Sequence, residues 1–171
     1  MKLASLKSAR DGRLCVVSRD LQRAIEAPQV AATLQGALEN WGDSAGQLDD
    51  LYHQLNAGAL DGAFDLDPAA LAAPLPRAYQ WADGSAYVNH VELVRKARGA
   101  VLPDTFWSDP LMYQGGSDGF IGPTDDIVVA DEAWGIDFEA AVAIITDDVP
   151  MAASAQQAAA HVKLHSLVHA V

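Results

Sequence analysis

The chain is 171 residues long, half of them apolar and a fifth charged, with 11 Lys and Arg against 23 Asp and Glu and a net charge of −12. A chain of this size buries roughly 70% of its unfolded surface, so one compact domain or one and a half is expected. The acidic balance argues against nucleic acid and against anionic lipid, both of which are held by concentrated Lys and Arg. No apolar run reaches the roughly 18 residues of a membrane span, and the start lacks a signal peptide's long apolar stretch. The composition predicts a soluble, cytoplasmic protein. A single cysteine, Cys15, excludes an internal disulfide and a multi-cysteine zinc site, and is expected to be a small buried strand residue.

In chain order, residues 3–7 and 13–18 are short apolar-rich runs flanking Asp11-Gly12, which predicts a hairpin with glycine at positive φ. Val30, Leu34, Ala37, Leu38 and Trp41 recur at helical spacing and predict a helix. Ser44 is the expected N-cap of a second helix that carries Leu48, Leu51, Tyr52 and Leu55 on one face and ends near Gly58. Residues 65–76, with Pro68, Pro74 and Pro76, read as a connector. The expected division is therefore an N-terminal domain over residues 1–75, hairpin plus helices, and a second body over residues 76–171. Strands are predicted at 126–130 and 136–146, the latter as a strand entering a buried sheet, and a helix at 152–161. The chain then ends within an apolar stretch at Val171, which reads as a sheet continuing in missing sequence.

Residues able to carry chemistry concentrate after Tyr79. Asp83 precedes His90 by seven residues, two helical turns, so a carboxylate and an imidazole can face one cavity; the plainer alternative is an N-cap aspartate and a helical histidine. Tyr113-Gln114-Gly115-Gly116 is a glycine turn behind a tyrosine hydroxyl, with no lysine after the glycines as phosphate binding requires; the bland reading is a tight surface turn. Asp137 and Glu139 alternate at the mouth of the second predicted strand, where two adjacent carboxylates need a cation, a donor or solvent. His161, His165 and His169 recur every four residues without an acidic partner, so zinc is disfavoured. Arg95-Lys96-Ala97-Arg98 reads by default as a solvated helix end, with an anionic substrate as the alternative. Trp41 and Trp81 are expected in the core or at a junction.

Taken in order, these stretches resemble the fumarylacetoacetate hydrolase family, in particular its longer bacterial members with a small N-terminal domain. The resemblance implies an α+β protein: a small N-terminal α/β domain followed by the first part of a mixed β-roll catalytic domain, incomplete here. It implies a C–C bond hydrolase acting on a small-molecule β-diketo acid of fumarylacetoacetate or acylpyruvate type, with Mg²⁺ or Ca²⁺, usually as a homodimer. It makes His90 the catalytic base, Tyr113 a substrate contact, and Asp83 and Glu139 metal ligands. The family's second glutamate and final aspartate fall at Ala141 and Ala170, so metal binding is expected to be weak or absent. A non-catalytic member that acts only through association is the alternative.

Overall fold

The computed structural model describes residues 1–109 and 111–171. In chain order the elements are β1 (Lys2–Leu6), β2 (Arg13–Val17), β3 (Arg23–Glu26), α1 (Leu34–Glu39), α2 (Trp41–Asn56) and β4 (Phe64–Asp65). There follow β5 (Ala82–Gly84), α3 (Val88–Ala97), β6 (Met112–Gln114), β7 (Glu139–Thr146), α4 (Ala155–Ala160) and β8 (Val162–Ala170). The architecture is α+β. The chain forms two compact units, one from Met1–Leu75 with Ile121–Val171, the other from Pro76–Phe120.

The first unit is built on an antiparallel sheet in the order β1-β2-β3-β4. Both faces of β2 are buried, which is why Leu14-Cys15-Val16-Val17 is a continuous apolar run. Leu14 and Val16 join Leu34, Ala37, Leu38, Leu48, Tyr52 and Leu55 of the two helices. Cys15 and Val17 join Leu6 and Ala24 on the other face, covered by Phe64, Leu66 and Leu71. Each large side chain so buried contributes about 1.5–3 kcal/mol. Burial, with Glu26 nearby, pushes the Cys15 thiol up to about 11, and the Ala4 carbonyl that accepts from it offsets little of that.

The second sheet of this unit is the hairpin of β7 and β8, whose faces alternate. Ile145 and Leu164 pack on the helix-side core, whereas Val142, Ile144 and Leu167 on the opposite face are 53%, 55% and 84% exposed. Segment 121–125 docks on the first sheet. Lys7 Nζ reaches Asp125 and the Ala69 carbonyl, and Asp125 Oδ2 accepts from Gly122 N at 2.8 Å. Lys7 and the Gly122 amide, outweighing some desolvation, hold the Asp125 carboxyl below its ordinary range.

A Cβ at Gly122 would press into the Leu71 carbonyl oxygen and lie 3.0 Å from Asp125 Oδ2. Backbone cannot retreat as a flexible side chain can, so Gly122→Ala is expected to cost about 1–3 kcal/mol of stability. Urea unfolding of the two proteins measures it; equal midpoints would mean that the segment is not docked this way.

Several expectations need correction. The hairpin forms and Gly12 has φ +69°, but Leu6 pairs with Arg13, so the loop spans residues 7–12 and is no two-residue turn. The first helix begins at Leu34 under a Thr33 cap, not at Val30, because Arg23–Glu26 pairs with β2 as an unforeseen strand. Ser44 does not cap the second helix: Asn40 precedes it, and Ser44 lies buried in its first turn. The proline-rich stretch is no mere connector. Leu71 bridges Leu6, Ala72 N donates to Ser5 O, and Ser5 Oγ donates to Pro74 O, because the second face of β2 needs a cover.

Residues 126–130 form no strand, and Val128 is 88% exposed. β7 starts at Glu139, so Asp137 does not share its strand face; the Asp137 carboxylate instead accepts from Phe138 N. Nor is β7 buried on both faces: Val142 and Ile144 are exposed, and among the described residues β8 alone pairs with it. The predicted last helix shortens to α4, opened by a capping box between Ser154 and Gln157.

Candidate functional site

In the second unit, β5 and β6 pair antiparallel with Asp83 directly opposite Tyr113. Directly opposed residues share a face with Cβ atoms about 4.5–5.5 Å apart, so the carboxylate and the phenol are neighbours by register. Asp83 therefore is a strand residue and not the cap of α3, whose N-cap is Tyr87. The pairing is extended by Ser85 N donating to Leu111 O and by Gly115 N donating to Trp81 O. The glycine turn has a packing reason: a Cβ at Gly115 would lie 2.7 Å from Trp81 Cδ1, and Trp81 packs at a tilt against Phe120 with centroids 5.1 Å apart.

His90 sits in the first turn of α3 and is half-buried. It lines a cleft of about 230 Å³ with Ser85, Val91, Val94, Arg95 and Arg98. Val91 and Val94 supply an apolar wall, whereas the two guanidiniums bring positive charge to a chain that is strongly acidic. Such a cleft suits an anion with an apolar portion. Arg95 Nη1 also donates to Val101 O at 3.2 Å, which ties the end of the helix to the following loop. The two arginines are functional candidates that the sequence offers only as the alternative to a solvated helix end. Positions 91, 94, 95 and 98 recur at three and four, and that period was the available signal.

In the first unit, Glu139 opens β7 opposite Ala170 of β8, and Ala141 lies two residues along on the same face. The positions at which the resemblance leaves alanines are thus the direct neighbours of Glu139. A hard divalent ion takes about six to eight oxygens, several of them from carboxylates. The face offers one. Among the described residues, no group of three or more His, Cys, Asp or Glu side chains is placed to hold a metal. The residues present do not fit a tightly bound ion on β7 and β8.

His165 and His169 fall on the outer face of β8, the latter stacked on Phe138 with ring centroids 4.5 Å apart. His161 lies before the strand and contacts Asp147. The three histidines form no helical stripe. Trp107 and Trp134 are 74% and 75% exposed. Among the described residues, no helix is long and apolar enough to cross a membrane.

The chain is matched by two family models. Fumarylacetoacetase N-terminal domain 2 covers residues 1–77, and fumarylacetoacetate hydrolase C-terminal covers residues 80–171. Among curated proteins, none matches the chain.

Proposed function

The chain belongs to the fumarylacetoacetate hydrolase family, and from that premise we propose that it cleaves a C–C bond in a small β-diketo acid with His90 as the base. The observation that supports this reading is the cleft in which His90 lies beside Arg95 and Arg98. The guanidiniums attract and orient the substrate carboxylate, and the apolar wall excludes water from its carbon chain. A neutral imidazole nitrogen of His90 takes a proton from water as the oxygen adds to a carbonyl carbon. Collapse of the adduct breaks the bond to the neighbouring carbon, which leaves as an enolate. The imidazolium returns the proton to that carbon, so one water is consumed and two acids are formed. Tyr113 supplies a hydroxyl donor on the face it shares with Asp83.

No step is assigned to a metal ion. Asp83 of the second unit and Glu139 of the first are each retained as a candidate ligand for Mg²⁺ or Ca²⁺, and at Glu139 the hold is expected to be weak because alanine occupies 141 and 170. Those alanines also favour a second reading, a non-catalytic member that works through association with a second copy. The exposed apolar face of Val142, Ile144 and Leu167 suits such a homodimer.

Arg98→Gln tests the enzyme reading. A charge-assisted hydrogen bond contributes about 1.5–3 kcal/mol, so KM for an acylpyruvate is expected to rise roughly tenfold to a hundredfold with a smaller change in kcat. Steady-state loss of the diketone absorbance measures both constants. A natural chain that leaves the diketo acid intact, with or without millimolar Mg²⁺, would decide for the association module.

A further inference from the structure

Along β7 and β8 the ladder runs in one register from Glu139↔Ala170 to Ile145↔Leu164 and then shifts, so that Thr146 pairs with Val162. The shift leaves Lys163 as an extra residue on β8, a bulge. The pairing beyond it continues in the shifted register, with Asp147 N donating to His161 O at 3.2 Å. If that second register ran through the whole hairpin, Glu139 would face His169 in place of Ala170. A slip by one residue exchanges the two faces of a strand. His165, Leu167 and His169 would then share the face of Glu139, and Ser166, Val168 and Ala170 would turn outward. The position of the bulge therefore decides what stands beside Glu139.

The side chain of the bulged residue is held. Lys163 Nζ lies 3.1 Å from Asp147 Oδ2 and donates to Ala160 O at 2.8 Å. Asp147 Oδ1 accepts from His161 Nδ1 at 2.6 Å. One half-buried carboxylate thus bridges the residue before β8 and the extra residue within it. Partial desolvation pushes the Asp147 carboxyl up, but the bonds from His161 and Lys163 outweigh it and hold the group below its ordinary range.

We propose that Asp147 is a positioning residue: its clamp on Lys163 and His161 fixes the bulge, and so keeps Glu139 opposite Ala170. The consequence for a site at Glu139 rests on the function proposed above, whereas the clamp itself does not.

Cysteine pairs read the register directly, because directly opposed strand residues lie within disulfide reach. Cys15 is buried, with its thiol pushed up to about 11, and does not compete. With Asp147 intact, Glu139→Cys with Ala170→Cys is expected to oxidise readily, and Glu139→Cys with His169→Cys poorly. Adding Asp147→Ala should lower the first yield and raise the second by about threefold or more, and Asp147→Glu should restore the original pattern. Lys163→Met, which keeps the aliphatic stem, should act as Asp147→Ala does and carries the test if that variant fails to fold. Unchanged yields in these backgrounds would overturn the clamp. A normal clamp in a chain with no diketo-acid cleavage would overturn only the proposed function.

Discussion

Ala141→Glu combined with Ala170→Asp is expected to bind Mg²⁺ or Ca²⁺ about a hundredfold more tightly than the natural chain, as read by calorimetric titration. The expectation rests on register. Glu139 and position 170 are directly opposed, and position 141 lies two residues along the same face. Three carboxylates so placed repel one another without a cation. The metal-free double variant should therefore melt at a lower temperature than the natural chain and recover on adding the ion. The two substitutions should also couple. Ligands on one ion reinforce each other, so the double variant should exceed the product of the two single effects. Single effects that simply multiply, or no effect at all, would mean that 141 and 170 are not ligand positions.

The parts of this protein that were legible in its sequence are those set by local chemistry. The opening hairpin, the helix face of Leu48, Leu51, Tyr52 and Leu55, and the buried Cys15 all follow from patterns within a few residues. The parts that were not legible depend on distant partners. Arg23–Glu26 has no strong strand signal of its own and exists because β2 offers it an edge. The proline-rich stretch looks like a linker until the second face of β2, with Cys15 and Val17, requires something to cover it. β7 reads as a strand buried on both sides because Val142 and Ile144 are apolar, yet composition cannot say whether a second layer is present.

The candidate site divides in the same way. Asp83, His90, Tyr113 and Glu139 stand out by residue type and order, and Glu139 opens a strand as its alternation predicts, but helical spacing misplaces Asp83 relative to His90. Asp83 and His90 do not share a helix; a strand and the first turn of α3 present them, with Tyr113 across the ladder from Asp83. Helical spacing and strand pairing are different routes to proximity, and three residues of strand are too few to be read from alternation. The bulge at Lys163 is less legible still. It is a conflict between two registers, and neither strand alone records it.

His90→Gln is expected to lower kcat for diketo-acid cleavage by about 10²–10⁴ while leaving KM within a few-fold. Glutamine preserves a planar polar group in the first turn of α3, so the helix and the cleft lined by Arg95 and Arg98 should persist. What it removes is a ring nitrogen able to serve as a general base, since an amide has no comparable basicity. The loss should therefore fall on the proton-transfer steps and not on binding of the acid, and kcat and KM separate the two. Calorimetric titration with Mg²⁺ adds a control, because a base that is not a ligand can be removed without weakening the ion. If His90→Gln instead weakens metal binding in step with activity, the imidazole is a ligand and the base must be sought elsewhere. If KM alone rises, His90 recognises the acid alongside the arginines.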